Sequence, residues 1–374
     1  MKMLIFGGSG RTGQIMIHSA TAAGWQVIAP THAECDLLEP EAVSRTVLES
    51  GADAVVNCAA ISGLEACLDN PLNAHMVNAV APATMALACR HTGARFVHLS
   101  TDYVLEGHKP GLRDESCKCK PANTYGESKR EGEQQVMEAL STALILRVSW
   151  VCGNPAKPAF VESMLSAALL GKELSAIADK YSLPTDAQDI ARVILELLPT
   201  EAAGIVHTCA GGEPLSWHDC VSIALQTAVD DGALTAMPPV TRTTLAAATF
   251  FRAERPRHTA MNNARLTQKH GIYMPSAGET LQNVTRRYLQ SLKDSHGDKP
   301  QLMRLRIWRS SISKACSSTG VGVPLRADQP KRPIWSICQE PFVPLGNSHL
   351  PEINVPGSCK SSSVTLGFTA APGS

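Results

Sequence analysis

The chain has 374 residues, 34 Lys+Arg against 34 Asp+Glu, and a formal net charge of zero. A hydrophobic share of 44% supplies a sizeable core and excludes wholesale disorder, and the balanced charge leaves no electrostatic footprint for nucleic acid or an anionic membrane. No apolar run approaches the ~20 residues of a membrane helix, the opening Met-Lys-Met-Leu-Ile-Phe-Gly-Gly reaches glycine too early for a signal-peptide core, and the twelve cysteines are scattered without a CxxC pair or a matching Cys/His cluster. The expectation is a soluble cytoplasmic protein with reduced thiols.

Along the first 296 residues strand-like and helix-like segments alternate. Met3–Phe6 is a short apolar strand ending in glycine, followed by a helix over Thr12–Ala23 and a second strand at Trp25–Ala29. A short helix at Glu41–Ser50 precedes a third strand, Ala54–Asn57, and Pro71–Thr92 reads as one long helix. Arg95–Ser100 is a fourth strand, Tyr125–Leu140 a long helix rich in Glu, Lys and Gln, and Leu144–Val148 a fifth strand. Short, wholly apolar strands separated by helices predict an α/β fold: a doubly wound, Rossmann-like parallel sheet covered on both faces. Beyond about residue 152 the alternation becomes irregular, with helices at Val161–Leu170 and Asp189–Leu198. The expected division is a nucleotide-binding part over 1–151 that carries the catalytic residues and a smaller substrate-binding part over 152–296, interleaved with the sheet.

Residues 297–374 differ in composition. They hold nine Lys/Arg against four Asp/Glu, nine of the 24 prolines and twelve serines, with no sustained period of 2 or 3.6. Such a segment buries too little to offset chain entropy, so it is expected to be a poorly ordered appendage.

The nucleotide site comes first along the chain. Gly7-Gly8-Ser9-Gly10-Arg11-Thr12-Gly13 follows the first strand and opens the first helix. Glycines at 7, 10 and 13 permit a tight turn, close approach of backbone to a pyrophosphate, and helix–strand packing. The helix N-terminus then presents free N–H groups and the positive end of its dipole to the phosphates. A second signal is Tyr125-Gly-Glu-Ser-Lys129, which places a phenol and an ammonium one helical turn apart on one face. A lysine near a tyrosine favours the phenolate and lowers its pKa toward the working range for proton transfer. The third is Ser100-Thr101-Asp102-Tyr103-Val104, just past the fourth strand, where the hydroxyl of Thr101 can hydrogen-bond a substrate carbonyl beside Tyr125. The twelve histidines show no ligand spacing and read as ordinary surface or core residues.

These pieces resemble the extended short-chain dehydrogenases/reductases, and within them the dTDP-4-dehydrorhamnose reductases. The resemblance runs from Lys2 to about Leu292. It rests on the glycine loop, Cys-Asp-Leu-Leu-Glu-Pro at 35–40, Val-Asn-Cys-Ala-Ala at 56–60, Val-Asn-Ala at 77–79 and Leu-Ser-Thr-Asp-Tyr-Val at 99–104. It continues through Tyr-Gly-Glu-Ser-Lys at 125–129, Leu-Arg-Val-Ser-Trp-Val-Cys-Gly at 146–153, Ser-Leu-Pro-Thr at 182–185 and Arg-Pro-Arg-His-Thr at 255–259. The resemblance implies hydride delivery from a nicotinamide cofactor to C4 of a nucleotide-linked 4-keto-6-deoxy sugar. Tyr125 would protonate the nascent alkoxide, Lys129 hold the nicotinamide ribose and tune Tyr125, and Thr101 position the carbonyl. It also implies cofactor contacts from Gly7, Gly10, Arg11, Thr12, Gly13, Asp36, Leu37, Ala59, Ala60, Asn78, Tyr125 and Lys129. Substrate contacts follow from Thr101, Asp102, Tyr103 and Trp150, with Arg255 meeting the diphosphate.

Several positions depart from the family pattern. The second strand ends Ala29-Pro30-Thr31-His32, without the acidic residue that binds a ribose 2′-OH, while Arg11 inside the glycine loop can reach a 2′-phosphate. Both lean toward NADPH, with NADH also accepted by this family. Cys152 stands where the family has a tyrosine and reads as a small packed residue; His258 replaces a usual polar residue. Some members form a homodimer with magnesium held by glutamates at its interface; no residue here is assigned to that metal. Two other classes compete: a related sugar-nucleotide epimerase or dehydratase, and a non-catalytic subunit like the regulatory subunit of methionine adenosyltransferase. A dehydratase needs an acid/base carboxylate pair beside Thr101, where Asp102-Tyr103 offers one, and the regulatory subunit lacks the Ser-Trp-Val found here at 149–151.

Overall fold

Leu4-Ile5-Phe6, Val55-Val56 and Leu144-Ile145-Leu146 are buried on both sides of the chain, as strands must be when helices cover both faces of a parallel sheet. In the computed structural model, whose described residues are 1–294, these runs lie in a six-stranded sheet. Its strands are β1 (Lys2–Phe6), β2 (Gln26–Ile28), β3 (Ala54–Asn57), β4 (Arg95–Thr101), β5 (Leu144–Val148) and β6 (Gly204–Thr208). They run parallel in the spatial order β2-β1-β3-β4-β5-β6. The doubly wound, Rossmann-like α/β expectation therefore holds. The appendage expected at 297–374 lies outside the described residues.

Alternation along the strands feeds two cores. Met3 and Ile5 meet Met16 and Ala20 of α1 (Arg11–Ala22) on one face, together with Ile190 and Ile194 from the helix Ala187–Leu197. Leu4 and Phe6 meet the other face, built from α2 (Pro40–Ser50), α3 (Ala81–Thr92) and α4 (Thr124–Ala139) through Val43, Val47, Met85 and Val136. Because β1 has β2 on one side and β3 on the other, the chain reverses direction across the sheet there. The reversal opens a crevice beyond the carboxyl ends of β1 and β3, where open α/β sheets receive ligands.

The predicted helix Pro71–Thr92 is interrupted. It consists of Pro71–His75, a π-helical turn at Met76–Val80, and α3. Pro82 has no N–H to give to the carbonyl of Asn78, four residues back, so the ladder must widen there. That freed carbonyl is also where α4 packs: a Cβ on Gly132 would come within 2.2 Å of it.

Beyond residue 152 a second apolar cluster gathers α5 (Phe160–Leu169), α7 (Trp217–Asp230) and α8 (Ala277–Asp294), with α6 the helix Ala187–Leu197 already named. Val161, Leu165, Trp217, Val221, Leu225 and Leu281 interlock there, against a parallel strand pair at Leu174–Ile177 and Val240–Thr243. Helices α7 and α8 were not anticipated from the sequence pattern.

Candidate active site

The glycine loop is shaped by contact with itself and with the next strand. Gly7 has φ +76°, and a Cβ on it would lie 2.6 Å from the backbone nitrogen of Ala59. A Cβ on Gly13 would stand 2.1 Å from the carbonyl oxygen of Gly7. No other residue fits at these two positions, so the turn, α1 and the Ala59-Ala60 segment close on one another at the switch point. Gly10 donates its N–H to Gly7 O (2.9 Å) and α1 begins at Arg11, with Thr12 in its first turn. The backbone cradle suits a dinucleotide pyrophosphate.

Two cofactor-side residues are engaged otherwise than expected. The guanidinium of Arg11 donates to the carbonyls of Lys157 (2.9 Å) and Pro158 (3.3 Å), so it is turned toward that segment and not toward a ribose. Asn78, buried in the π-helical turn, uses its whole amide as a clamp. Its oxygen accepts from Ile61 N (2.9 Å), and its nitrogen donates to Ile61 O (2.9 Å) and to Ser128 Oγ on α4 (3.0 Å). It shapes the loop that carries Ala59 and Ala60. Asp36 caps its own turn by accepting from Leu38 N at 3.0 Å, and Leu37 is half-buried against the α2 side of the sheet.

The catalytic candidates converge where β4 ends and α4 begins. Asn123 caps α4 by accepting from Gly126 N (2.8 Å) and donates to Glu254 O (2.8 Å), tying the helix start to the 254 loop. Gly126 lets α4 approach: a Cβ there would meet Tyr103 O at 2.4 Å. Tyr125 and Tyr103 consequently stand edge to face, with centroids 5.8 Å apart. Burial pushes the Tyr125 phenol up from its ordinary pKa, and the Thr101 hydroxyl beside it works in the other direction. Thr101 Oγ1 donates to Asp102 Oδ1 (3.1 Å) and accepts from Tyr103 N (3.3 Å).

Lys129, one turn after Tyr125, is fully buried. Its Nζ donates to Leu99 O (2.7 Å) and lies 3.1 Å from Nε2 of His98. Burial lowers its pKa to about 8, against the opposing charge of Glu133. The helix is bolted to the sheet by a buried ion pair: Glu133 accepts from Arg147 Nε and Nη2, both at 2.7 Å, and from Ser100 Oγ at 2.7 Å. Burial alone would raise the Glu133 pKa, but the Arg147 hydrogen bonds and charge outweigh it and hold the carboxylate ionised.

On the substrate side, Asp102 is buried and accepts from Ser149 Oγ (3.0 Å). Burial raises its pKa, opposed by the charge of Lys180 and by the neighbouring hydroxyls. Lys180 itself is buried, donates to Pro256 O (2.9 Å), and sits 5.2 Å from the Tyr103 ring centroid and 5.9 Å from that of Trp217. Burial brings its pKa down to about 8, although the charge of Asp102 pulls it up. Trp150 stacks on Trp217 (5.5 Å, 7°) at φ +41°, a strained value for a bulky residue that costs about 1–3 kcal/mol and recurs at functional sites. Arg255, expected to meet a diphosphate, instead forms a two-point ion pair with Glu65 (2.8 and 2.9 Å) over the Phe251 ring. Its side chain is 1% exposed, and a buried guanidinium needs such a partner to offset desolvation. Cys152 is a packed, buried thiol with its pKa pushed up by burial, as expected.

His98, Asn57, Glu133, Arg147 and Lys180 were not singled out from the sequence. A histidine inside the otherwise apolar strand β4 was the available signal for the first, and it was read as an ordinary residue. Among the described residues no group of three or more His, Cys, Asp or Glu side chains could hold a metal ion. No helix among them is long and apolar enough to cross a membrane.

A family model described as the RmlD substrate binding domain matches residues 1–290. The chain belongs to the dTDP-4-dehydrorhamnose reductase family. It is 32% identical to dTDP-4-dehydrorhamnose reductase of Burkholderia thailandensis, over 74% of this chain and 95% of that protein. Against the enzyme of the same name from Salmonella typhimurium it is 30% identical, over 74% and 94%. Among solved structures it resembles the dTDP-4-dehydrorhamnose reductase of Bacillus anthracis in complex with NADP (TM-score 0.70, 25% identity), which covers 76% of this chain and 98% of that one. The orthologue from Clostridium acetobutylicum gives the same TM-score at 27% identity, covering 78% and 100%.

Proposed function

We propose that this chain is an NADPH-dependent dTDP-4-dehydrorhamnose reductase, converting the nucleotide-linked 4-keto-6-deoxy sugar to dTDP-L-rhamnose. The observation that carries this reading is the placement of Thr101, Tyr125 and Lys129 on adjoining ends of β4 and α4, beside the glycine cradle at the switch point. The cofactor, when bound, supplies the hydride. Gly7, Gly10, Thr12 and Gly13 offer the cradle for its pyrophosphate. Arg11 stays with the carbonyls of residues 157 and 158, and Asn78 shapes the Ala59-Ala60 edge.

The chain's own residues do the rest. Thr101 presents a hydroxyl to the ketone oxygen, and Tyr125 gives that oxygen a proton as negative charge develops on it. Asp102, Tyr103 and Trp150 face the sugar nucleotide, with Lys180 added to that wall. Arg255 meets a diphosphate only by exchanging Glu65 for it, so its first role is to fix the 251–255 segment. The reading carries with it a cytoplasmic location and, by the same likeness, a homodimer. Its test is spectrophotometric: purified protein should consume NADPH only when dTDP-4-dehydrorhamnose is added, read as loss of the reduced nicotinamide band. No substrate-dependent loss would remove the reductase reading and return the chain to the non-catalytic class.

A further inference from the structure

We infer that Lys180 is a specificity-determining residue: it donates a hydrogen bond to a ring hydroxyl of the sugar, at C2 or C3, and so selects hydroxylated over dideoxy substrates. The inference deepens the reductase reading and rests on its placement of the ketone at Thr101 and Tyr125. Lys180 lies between the strand Leu174–Ile177 and the short strand Tyr181–Ser182, and its residue is 2% exposed.

Donor counting leaves this lysine incomplete. An ammonium has three N–H donors and no acceptor. One donates to Pro256 O at 2.9 Å, and among the described residues no other oxygen or nitrogen accepts from Nζ. Its remaining close neighbours are ring faces, with the centroid of Tyr103 at 5.2 Å and that of Trp217 at 5.9 Å. Rings attract the charge but do not replace a lone pair. Asp102 acts on Lys180 as a charge through space, without a hydrogen bond between them. Its carboxyl oxygens accept instead from Thr101 Oγ1 (3.1 Å) and Ser149 Oγ (3.0 Å). Burial brings the Lys180 pKa down only to about 8, so at neutral pH the ammonium is present and short of acceptors.

The position of Lys180 says which part of a substrate it meets. Tyr103, under its Nζ, stands edge to face with Tyr125, with centroids 5.8 Å apart. Trp217, the other ring beside Nζ, stacks on Trp150 at 5.5 Å. Lys180 therefore borders both the aromatic that flanks the proposed proton donor and the indole pair on the substrate side. A sugar whose C4 ketone is at Thr101 and Tyr125 turns its neighbouring ring carbons toward that wall.

The local charge favours a neutral acceptor over a phosphate. The charge of Lys180 pulls the Asp102 carboxyl toward its ionised form, and a carboxylate there repels an anion. The nearby guanidinium of Arg255 is already held at two points by Glu65. A hydroxyl suits this balance, since it accepts from the ammonium and keeps its own O–H to donate. A substrate lacking that hydroxyl buries the Lys180 donors without a partner, which is how a polar site rejects a deoxy analogue.

The test is a binding cycle by isothermal titration calorimetry at neutral pH on the full chain. The ligands are dTDP-L-rhamnose and its 2,3-dideoxy counterpart, and the chains are wild type, Lys180→Met and Lys180→Gln. The wild type should prefer the hydroxylated ligand by about 10–100-fold, the range of a hydrogen bond to a charged group. Lys180→Met should narrow that preference by about tenfold or more, chiefly by weakening the hydroxylated ligand, and Lys180→Gln, which keeps a donor, should retain part of it. A lysine that only tethers Pro256 would weaken both ligands alike, so an unchanged preference in Lys180→Met overturns the inference. A wild-type preference below about threefold overturns it whether or not the variants fold. Binding needs no turnover: a chain that keeps the Lys180-dependent preference but does not oxidise NADPH with the ketone sinks the reductase reading alone. A chain that reduces dTDP-4-dehydrorhamnose without such a preference sinks this inference alone.

Discussion

Leu99 O accepts a hydrogen bond from Lys129 Nζ at 2.7 Å, so the lysine that follows Tyr125 by one helical turn is anchored to the strand behind it. The phenol and the amine share a helix face, yet they answer to different neighbours: Tyr125 to Thr101 and Tyr103, Lys129 to His98 and Leu99. Four expectations follow from that division and from the way α4 is fastened.

Tyr125→Phe removes the proposed proton donor without changing the ring that packs on Tyr103. The expected loss in kcat is roughly 10²–10⁴-fold, with NADPH affinity nearly intact by fluorescence titration. A loss below about tenfold would assign the proton to another group.

Arg11→Ala should weaken NADPH and NADH to a similar degree. The guanidinium is used on the carbonyls of Lys157 and Pro158, so its removal loosens the edge of the site and not a 2′-phosphate contact. Titration of both cofactors decides; a loss confined to NADPH would show that Arg11 leaves those carbonyls for the phosphate.

Glu133→Gln should destabilise the fold by about 3–5 kcal/mol in urea denaturation, because it leaves Arg147 buried against a neutral partner. Glu196→Gln, which breaks the half-exposed Arg192–Glu196 pair, should stay within about 0.5 kcal/mol. Similar small effects at both sites would mean that Arg147 finds water or another acceptor.

Stability should depend on pH through Lys180. Its ammonium pKa falls from 10.5 to about 8 in the folded chain, so between those values the unfolded chain binds more protons and this lysine makes stability rise with pH. The slope is about 1.4 kcal/mol per pH unit; below about 8 the burial penalty is complete and constant. Buried tyrosines and cysteines act in the opposite sense at alkaline pH, so the comparison is with Lys180→Met. The variant's advantage in Tm should be largest below pH 8 and shrink toward 10.5, and a gap that ignores pH would show that Lys180 is not penalised by burial.

How much of this was legible in the sequence varies with the physics of each element. The apolar runs of β1, β3 and β5, each buried on both faces, stand out against polar flanks, and all three lie where their sequences place them. The π-helical turn did not stand out, since a proline one residue into α3 looks like an ordinary helical start until Asn78 is seen holding Ile61 and Ser128. Among the site residues, local spacing brings Tyr125 and Lys129 together, whereas Arg255 and Glu65 are 190 residues apart and nothing local announces their pairing. His98 was passed over for the same reason: its partners come from β3 and α4, and only the folded register brings Asn57 opposite it.

The most direct measurement is isotopic. Incubation with dTDP-4-dehydrorhamnose and NADPH carrying deuterium at nicotinamide C4 should give dTDP-L-rhamnose with deuterium at sugar C4, detected by NMR as loss of the C4 proton signal. The Tyr125→Phe chain should form the same product at a small fraction of the rate. Consumption of NADPH without deuterium at C4, or product formation undiminished by Tyr125→Phe, would contradict the account.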